Sequence, residues 1–286
     1  MVARIREDLV ERAVDVARSG ADLAEERRRL PEETVDALAE AGLLQMCLPV
    51  ELGGPGVDPL TTIGLIERVA YADGAAGWCS MISSTTASMS VFLEPDVARE
   101  VFGSARATGG VFAPNGKGVV TGSDVVVTGR WQWGSGTQHC DWVVGGARCD
   151  DGVQRTCVFP ASMVEFHDTW YTSGMRGTGS LDFSVDAVAV PLERTVDPVR
   201  QKPRVDAPIS AFPNFTLLGI GVAAVGLGTH AVDAPASSSM RKSGTASSAR
   251  FRFTSLRARA RVSVCWCSVA TEGSATPSPA SLSSAF

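Results

Sequence analysis

Residues 129–136 read Gly-Arg-Trp-Gln-Trp-Gly-Ser-Gly, and they lie in the middle of a run of short valine-rich segments. Spacing Trp131 and Trp133 two apart is typical of a β-strand, in which such residues point to the same face of the sheet. Both indoles can therefore simply pack against one face, with Ser135 in an ordinary turn. Alternatively, a serine between two glycines can approach a flat ligand closely, because glycine carries no side chain that would keep the ligand away.

Further strands are predicted on both sides of this segment, from about residue 107 to about residue 191. Clusters of Gly, Asp, Ser and Thr separate the apolar runs there, as in an antiparallel sheet with tight turns. The pattern predicts a middle antiparallel β-barrel or β-sandwich domain over residues 107–205. The strands are expected at Val125-Val126-Val127, Trp142-Val143-Val144, Cys157-Val158-Phe159 and residues 183–190.

The residues before this region predict an N-terminal all-α domain, residues 1–106, because apolar residues recur there every three or four positions. Asp58-Pro59 is typical of an N-cap followed by a first-turn proline, and Asp73-Gly74 marks the end of that helix. The next segment, residues 75–90, is almost uncharged and predicts a helix buried on most sides. The helix that Asp58 opens is expected to bury Leu60, Ile63, Ile66, Val69 and Ala70.

The sequence becomes helix-like again over residues 206–230, which predicts the start of a C-terminal helical bundle. Residues 231–286 are rich in Ser and Ala, carry a net positive charge and show no sustained period. Two interpretations stay open for them: a basic disordered tail, or a segment that follows the loss of the genuine reading frame near His230. The predicted fold class is therefore α+β multidomain, ending in a tail that builds no core.

Composition narrows the possible partners. The chain is 44% hydrophobic and 20% charged, as expected of a globular protein, and its formal net charge of -5 argues against a nucleic-acid binder. Its 7 cysteines lack the paired spacing of a disulfide framework or a zinc site, so we expect reduced thiols, no metal and a cytoplasmic location. No secretory signal follows Met1, and the most apolar stretch, residues 217–227, is too short to cross a bilayer, so no membrane partner is expected.

Four motifs together carry a family resemblance. The first runs from Leu30-Pro31 through Gly42-Leu43-Leu44 to Leu48-Pro49-Val50-Glu51-Leu52-Gly53-Gly54-Pro55-Gly56. The second is Ala72-Asp73-Gly74-Ala75-Ala76-Gly77-Trp78, and the third is residues 129–136 with Asp141-Trp142. The fourth is Gly174-Met175-Arg176-Gly177-Thr178-Gly179-Ser180, followed by Val188-Ala189-Val190-Pro191. In these motifs the chain resembles the acyl-CoA dehydrogenase superfamily, most closely its flavin-dependent monooxygenase branch.

The resemblance implies the oxygenase component of a two-component flavin-dependent monooxygenase. Such a protein takes reduced FMN or FAD from a separate flavin reductase and uses O2 to hydroxylate a small, often aromatic substrate, and superfamily members form homotetramers. The motif positions also imply two sets of site residues. The cofactor-binding set is Trp133, Ser135, Gly136, Arg176, Thr178 and Ser180, and the substrate-binding set, on the buried helix, is Trp78, Ser83 and Ser84.

Two departures from the family pattern bear on the reaction. Dehydrogenases carry a Thr-Glu-Pro-Gly-Ala-Gly-Ser-Asp type loop, whereas the corresponding stretch here is Phe112-Ala113-Pro114-Asn115-Gly116-Lys117-Gly118, which favours the monooxygenases. The family's catalytic Glu or His comes from the C-terminal bundle, so no catalytic residue is assigned, and His139, His167 and His230 are interpreted as structural. An acyl-CoA dehydrogenase and an inactive truncated paralogue remain as alternatives.

Overall fold

The structure is a computed structural model, and it describes residues 5–197, 199–211 and 215–233. Helices come first and strands follow, as predicted, and a further helix lies after the sheet. The helices are α1 (Glu7–Arg27), α2 (Glu32–Glu40), α3 (Pro59–Ala72), α4 (Gly74–Ala87), α5 (Pro95–Ala98) and α6 (Phe215–Asp233). The fold class is thus confirmed for the described residues, while the domain boundaries within it stay a prediction.

The β part is one seven-stranded sheet with the strand order β5-β6-β2-β1-β3-β4-β7. The predicted antiparallel pairing holds at every junction except β1 and β3, which are parallel. The exception arises because β2 returns beside β1 by a tight turn, and the next strand is then added on the other side of β1. The strands are β1 (Thr108–Thr121), β2 (Asp124–Gly134), β3 (Trp142–Cys149), β4 (Gln154–Pro160), β5 (Glu165–His167), β6 (Leu181–Pro191) and β7 (Thr195–Val196).

Strand β1 was not predicted from the sequence. Pro114 and Asn115 lie within it, and both residue types are rare inside strands because proline has no N–H to donate to the ladder. The structure accommodates them at an irregularity, where the register with β3 shifts between Val111 and Gly116. The stretch 112–118 is therefore part of a strand.

Asp58 starts α3 as predicted, and Asp73, predicted only to mark the end of that helix, also caps the start of α4. The Asp58 carboxylate accepts hydrogen bonds from two N–H groups in the first turn of α3, and Asp73 does the same for α4. The expected burial of Leu60 is wrong, because its side chain is 80% exposed. Ile66, Val69 and Ala70 are buried as predicted, whereas Ile63 is only partly buried. The buried stripe of α3 runs from Thr62 through Leu65 to Ala72, and Leu60 lies outside it.

Helix α6 packs closely on α3 and α4. A Cβ atom added at Gly226 would lie 2.6 Å from the Glu67 carbonyl oxygen, and one at Gly219 would lie 2.8 Å from Met81. Within the predicted start of a helical bundle, residues 206–230, the structure describes one helix, α6, from Phe215 to Asp233, so residues 231–233 of the predicted tail are helical. That α6 begins a bundle stays a prediction. Residues 234–286 lie outside the described residues, so both interpretations of the tail stay open. Within the described part of the chain, no helix combines the length and the apolar character that crossing a bilayer requires.

Candidate functional site

The end of β2 sends its two tryptophans in different directions. Trp131 is completely buried, whereas the side chain of Trp133 is 67% exposed. A regular strand would place both on one face, but Trp133 has a φ of 64°, and the register with β6 shifts between Trp131 and Gly134. The interpretation that both indoles pack one face of the sheet is therefore wrong, because Trp133, two residues before Ser135, is largely exposed.

Four of the predicted site residues form one chain of hydrogen bonds. The indole Nε1 of Trp78 donates to Ser135 Oγ over 2.9 Å. Ser135 Oγ lies 2.7 Å from Ser180 Oγ, which lies 2.7 Å from Thr178 Oγ1. Thr178 Oγ1 in turn donates to the Met175 carbonyl oxygen over 2.8 Å. The structure thus joins α4, the turn after β2 and the turn before β6 through side chains that the sequence assigned to separate motifs.

Backbone contacts hold the two turns against each other. Gly136 donates from its N–H to the Thr178 carbonyl over 2.8 Å. Gly136 has a φ of 69°, and an added Cβ would lie 3.3 Å from Cys79 Sγ. Gly177 is packed more tightly, because a Cβ there would lie 2.8 Å from Ala24 and 3.0 Å from Ala75. Larger residues at these glycines would push the hydroxyl-bearing turns away from α1 and α4.

The remaining predicted residues make separate contacts, and of these only Ser83 lines the same small cavity as Ser135. Ser83 Oγ accepts from the Thr108 N–H over 3.1 Å and so links α4 to β1. Ser84 is fully buried and donates to the Leu43 carbonyl over 3.1 Å, which fastens α4 to the loop after α2. The N–H of Arg176 donates to Glu25 over 2.9 Å, and its buried Nε finds no hydrogen-bond partner among the described residues. The Nε–H of Arg176 is therefore a donor that a ligand could use.

Sequence and structural similarity identify the family. Residues 3–94 match the family model described as acyl-CoA dehydrogenase, N-terminal domain. The chain is 31% identical over 228 residues to indole-3-acetate monooxygenase of Pseudomonas putida, which covers 76% of this chain and 58% of that protein. It is 36% identical over 183 residues to the oxygenase subunit HsaA, a flavin-dependent monooxygenase of Mycobacterium tuberculosis, over 62% of this chain and 46% of HsaA. The chain belongs to the acyl-CoA dehydrogenase superfamily.

Solved structures place the chain in the flavin-dependent monooxygenase branch of the superfamily. The crystal structure of the HsaA monooxygenase from M. tuberculosis is similar with a TM-score of 0.72 at 29% identity, over 79% of this chain and 64% of that one. XiaF from Streptomyces sp., solved in complex with FADH2 and glycerol, is similar with a TM-score of 0.71 at 26% identity, over 79% and 61% of the two chains. The chain spans 46% of the length of HsaA and 58% of that of indole-3-acetate monooxygenase.

A small cavity lies next to the turn that carries Ser135. Its volume is about 10 Å³, room for about one water molecule, and its lining includes Ser135, His139, Cys79 and Cys140. Burial raises the pKa of both cysteine thiols, so they form an uncharged wall. Among the described residues, no group of three or more His, Cys, Asp or Glu is arranged to hold a metal ion.

His139 also lines this cavity, a position that was not predicted from the sequence. Its Nδ1 is buried and has no hydrogen-bond partner among the described residues, and Glu32 Oε1 lies 3.6 Å away, too far for a hydrogen bond. Burial first, and then the nearby Arg29, lower the pKa of His139 to about 4. A signal was present in the sequence, since His139 lies in the short turn Thr137–His139 directly after Gly136.

The buried His139 predicts a loss of stability in mild acid. The unfolded chain binds a proton at this residue below about pH 6.5, but the folded chain does so only near pH 4, so stability falls as the pH falls through this window. We expect His139 to contribute about 2 kcal/mol to the decrease in unfolding free energy between pH 7 and pH 5. Urea unfolding of the wild type and of His139→Gln at both pH values measures this contribution. Equal pH dependence in the two proteins would contradict the prediction.

Proposed function

We propose that this chain is the oxygenase component of a two-component flavin-dependent monooxygenase that hydroxylates a small aromatic substrate. The observation that carries the proposal is the convergence of Trp78, Ser135, Ser180 and Thr178 in one chain of hydrogen bonds, with the exposed Trp133 two residues before Ser135 in the chain. The function rests on these residues and on the similarity to flavin-dependent monooxygenases.

The available groups fit the requirements of a flavin ring. An exposed indole can cover part of a flat aromatic face, and the hydroxyl of Ser135 can meet a polar ring edge between Gly134 and Gly136. The buried Arg176 Nε supplies an additional donor without a partner among the described residues. We therefore assign Trp133, Ser135, Gly136, Arg176, Thr178 and Ser180 to the flavin side of the site.

The substrate side is assigned to the face of α4 that meets these turns. Trp78 lies there half-buried, and its N–H already orients Ser135. Ser83 and Ser84 are also part of this assignment, although both hydroxyls make contacts that hold α4 in place. Reduced FMN or FAD, when bound, would supply the two electrons that let O2 hydroxylate a substrate, while the apolar wall of this helix excludes water.

The proposal also covers the source of the flavin, the location of the protein and its oligomeric state. The reduced flavin would come from a separate flavin reductase, and the protein would act in the cytoplasm as a homo-oligomer. The acyl-CoA dehydrogenase alternative has no specific support in the site, since the stretch 112–118 lies in β1 and carries no serine. The chain spans only part of its relatives' length, so the experiment must also distinguish an active enzyme from an inactive paralogue.

The deciding experiment uses the purified full chain. Reduced FMN or reduced FAD is titrated under anaerobic conditions, and the loaded protein is then mixed with ¹⁸O2 and indole-3-acetate or phenol. We expect reduced flavin to bind and one ¹⁸O atom to appear in the product by mass spectrometry. Loss of colour from bound FAD on addition of an acyl-CoA would instead support a dehydrogenase. A folded protein that binds no flavin would refute both reactions.

A further inference from the structure

Asn115 and Gly116 form a chemically reactive pair within β1. Asparagine is a thermolabile residue type, because the backbone nitrogen of the next residue can attack its side-chain amide. Attack is easiest when the next residue is glycine, since no side chain then shields that nitrogen or restricts rotation. The chain contains two asparagines, and the other, Asn214, is followed by the bulky Phe215. Their neighbours alone therefore make Asn115 the more reactive of the two.

The sheet leaves Asn115 without a partner on both sides. The pairing of β1 with β2 begins at Lys117, which lies opposite Thr128. The pairing of β1 with β3 is interrupted between Val111 and Gly116. Among the described residues, Asn115 thus has no partner in either neighbouring strand, and it is exposed to solvent. Rotation about its Cα–C bond, which a paired strand would prevent, can bring its side-chain carbon to the Gly116 nitrogen.

Gly116, in contrast, is fixed in the core. A Cβ atom added there would lie 2.7 Å from the ring of Trp131 and 3.2 Å from the Cβ of Ala147. Gly116 is buried, and Trp131 is completely buried. Any change in the length of the main chain between residues 115 and 116 would therefore act directly on the packing around Trp131.

We propose that Asn115 is a site of spontaneous deamidation in the folded chain, and that its isoaspartyl product loosens β1 against Trp131. The Gly116 nitrogen forms a bond to Asn115 Cγ, the Cγ–Nδ2 bond breaks, and ammonia leaves with the former amide proton of Gly116. Water then opens the resulting succinimide ring at one of its two carbonyls. Opening at Cγ gives ordinary aspartate, and opening at the backbone carbonyl gives isoaspartate. Neither step oxidises or reduces the chain.

The two products differ in their effect on the fold. Ordinary aspartate adds one negative charge at an exposed position and should change the stability little. Isoaspartate carries the main chain through the side-chain methylene, which inserts one extra carbon before Gly116. Because the interior is close-packed, this extra length displaces Gly116 from the ring of Trp131 or shifts the register of β1. A sample rich in isoaspartate should therefore unfold at a temperature lower by about 4 °C.

The first test follows deamidation of the purified full-length chain in warm, mildly basic buffer made with ¹⁸O-labelled water. Trypsin releases residues 107–117 as one peptide, and mass spectrometry measures the conversion of its single asparagine. The ¹⁸O label identifies conversion that took place before digestion. We expect the rate in the folded chain to lie within about tenfold of the rate in urea, because an unpaired segment opens at little cost. Asn214, in the peptide 205–241, should convert more slowly than Asn115.

The second test measures thermal unfolding before and after storage, with the isoaspartate content determined by enzymatic methylation. Asn115→Gln keeps an amide but must close a larger ring, which is slower, so its unfolding temperature should stay constant during storage. Asn115→Asp carries the charge of the ordinary product from the start, and a fresh sample should unfold close to the fresh wild type. Stored wild type should be the sample that unfolds earlier.

Three outcomes would overturn the proposal. In the first, Asn115 stays intact in the folded chain while it converts in urea, which would show that the strand protects it. In the second, the stored wild type contains isoaspartate but unfolds at an unchanged temperature. In the third, fresh Asn115→Asp is as unstable as the stored wild type, so the charge rather than the longer main chain is the cause. Both variants replace an exposed side chain, and thermal unfolding of the fresh samples shows that they have folded.

Discussion

Replacing Trp131 by alanine is expected to lower the free energy of unfolding by about 3–5 kcal/mol. The side chain is fully buried, stacks on Phe183 with ring centroids 5.1 Å apart, and donates from Nε1 to the Gly146 carbonyl over 2.9 Å. Removing it would leave a cavity that a close-packed interior cannot refill, as well as a carbonyl without this donor.

Glycines on three sides explain why the cavity cannot collapse. A Cβ atom added at Gly116, Gly129 or Gly145 would lie 2.7–2.8 Å from the ring of Trp131. The backbone of three strands therefore meets the indole directly, and on these three sides no side chain is available to move into the space that it vacates. We accordingly expect the cost to lie in the upper part of the range for large-to-small substitutions.

Trp133→Ala is the matched control, because it removes the same side chain two residues further along the same strand. With 67% of Trp133 exposed, the loss of stability should stay below about 1 kcal/mol. If Trp133 covers the flavin as proposed, this variant should instead weaken flavin binding by about tenfold. Urea unfolding and flavin titration of both variants measure the two effects. Similar losses of stability in the two would contradict the assignment of one indole to the core and the other to the site.

Replacing Gly77 by alanine is expected to destabilise the protein by about 3 kcal/mol, although alanine is the better helix former. Gly77 lies in α4 where that helix crosses α3, and a Cβ atom there would lie 2.4 Å from Ala70 Cα and 2.5 Å from Ala70 N. Both are backbone atoms, so a rotamer change cannot relieve the collision and the two helices must separate. Trp78, the next residue, would then be drawn away from Ser135.

Gly64→Ala is the control for this prediction. Gly64 lies inside α3, and an added Cβ there meets nothing within 4 Å. The substitution should therefore stabilise the protein by about 0.5–1 kcal/mol through helix propensity alone. Thermal and urea unfolding of the two variants should give shifts of opposite sign. Stabilisation by Gly77→Ala would show that α3 and α4 do not approach as closely as described.

Local signals in the sequence predicted much of the fold. The order of helices and strands, the cap Asp58, the end of α3 at Asp73 and the turn at Ser135 were all accessible, because each depends on neighbours within a few residues. Strand β1 was not predicted because it contains Pro114, a residue type that is rare inside strands. Leu60 was wrongly predicted to be buried because the helical period alone does not show where the buried stripe of α3 begins. The register of a strand and the choice of buried face depend on what packs against them.

By itself, the sequence determined the family motifs and predicted which of their residues serve a flavin. Only the tertiary structure decided that Trp131 is core while Trp133 faces outward, since that depends on a φ of 64° and a register shift against β6. It also decided that Trp78, Ser135 and Ser180 meet, across separations of 57 and 45 residues. Hydrogen bonds over such distances along the chain leave no local pattern, because they form only once α4 and the sheet have packed together.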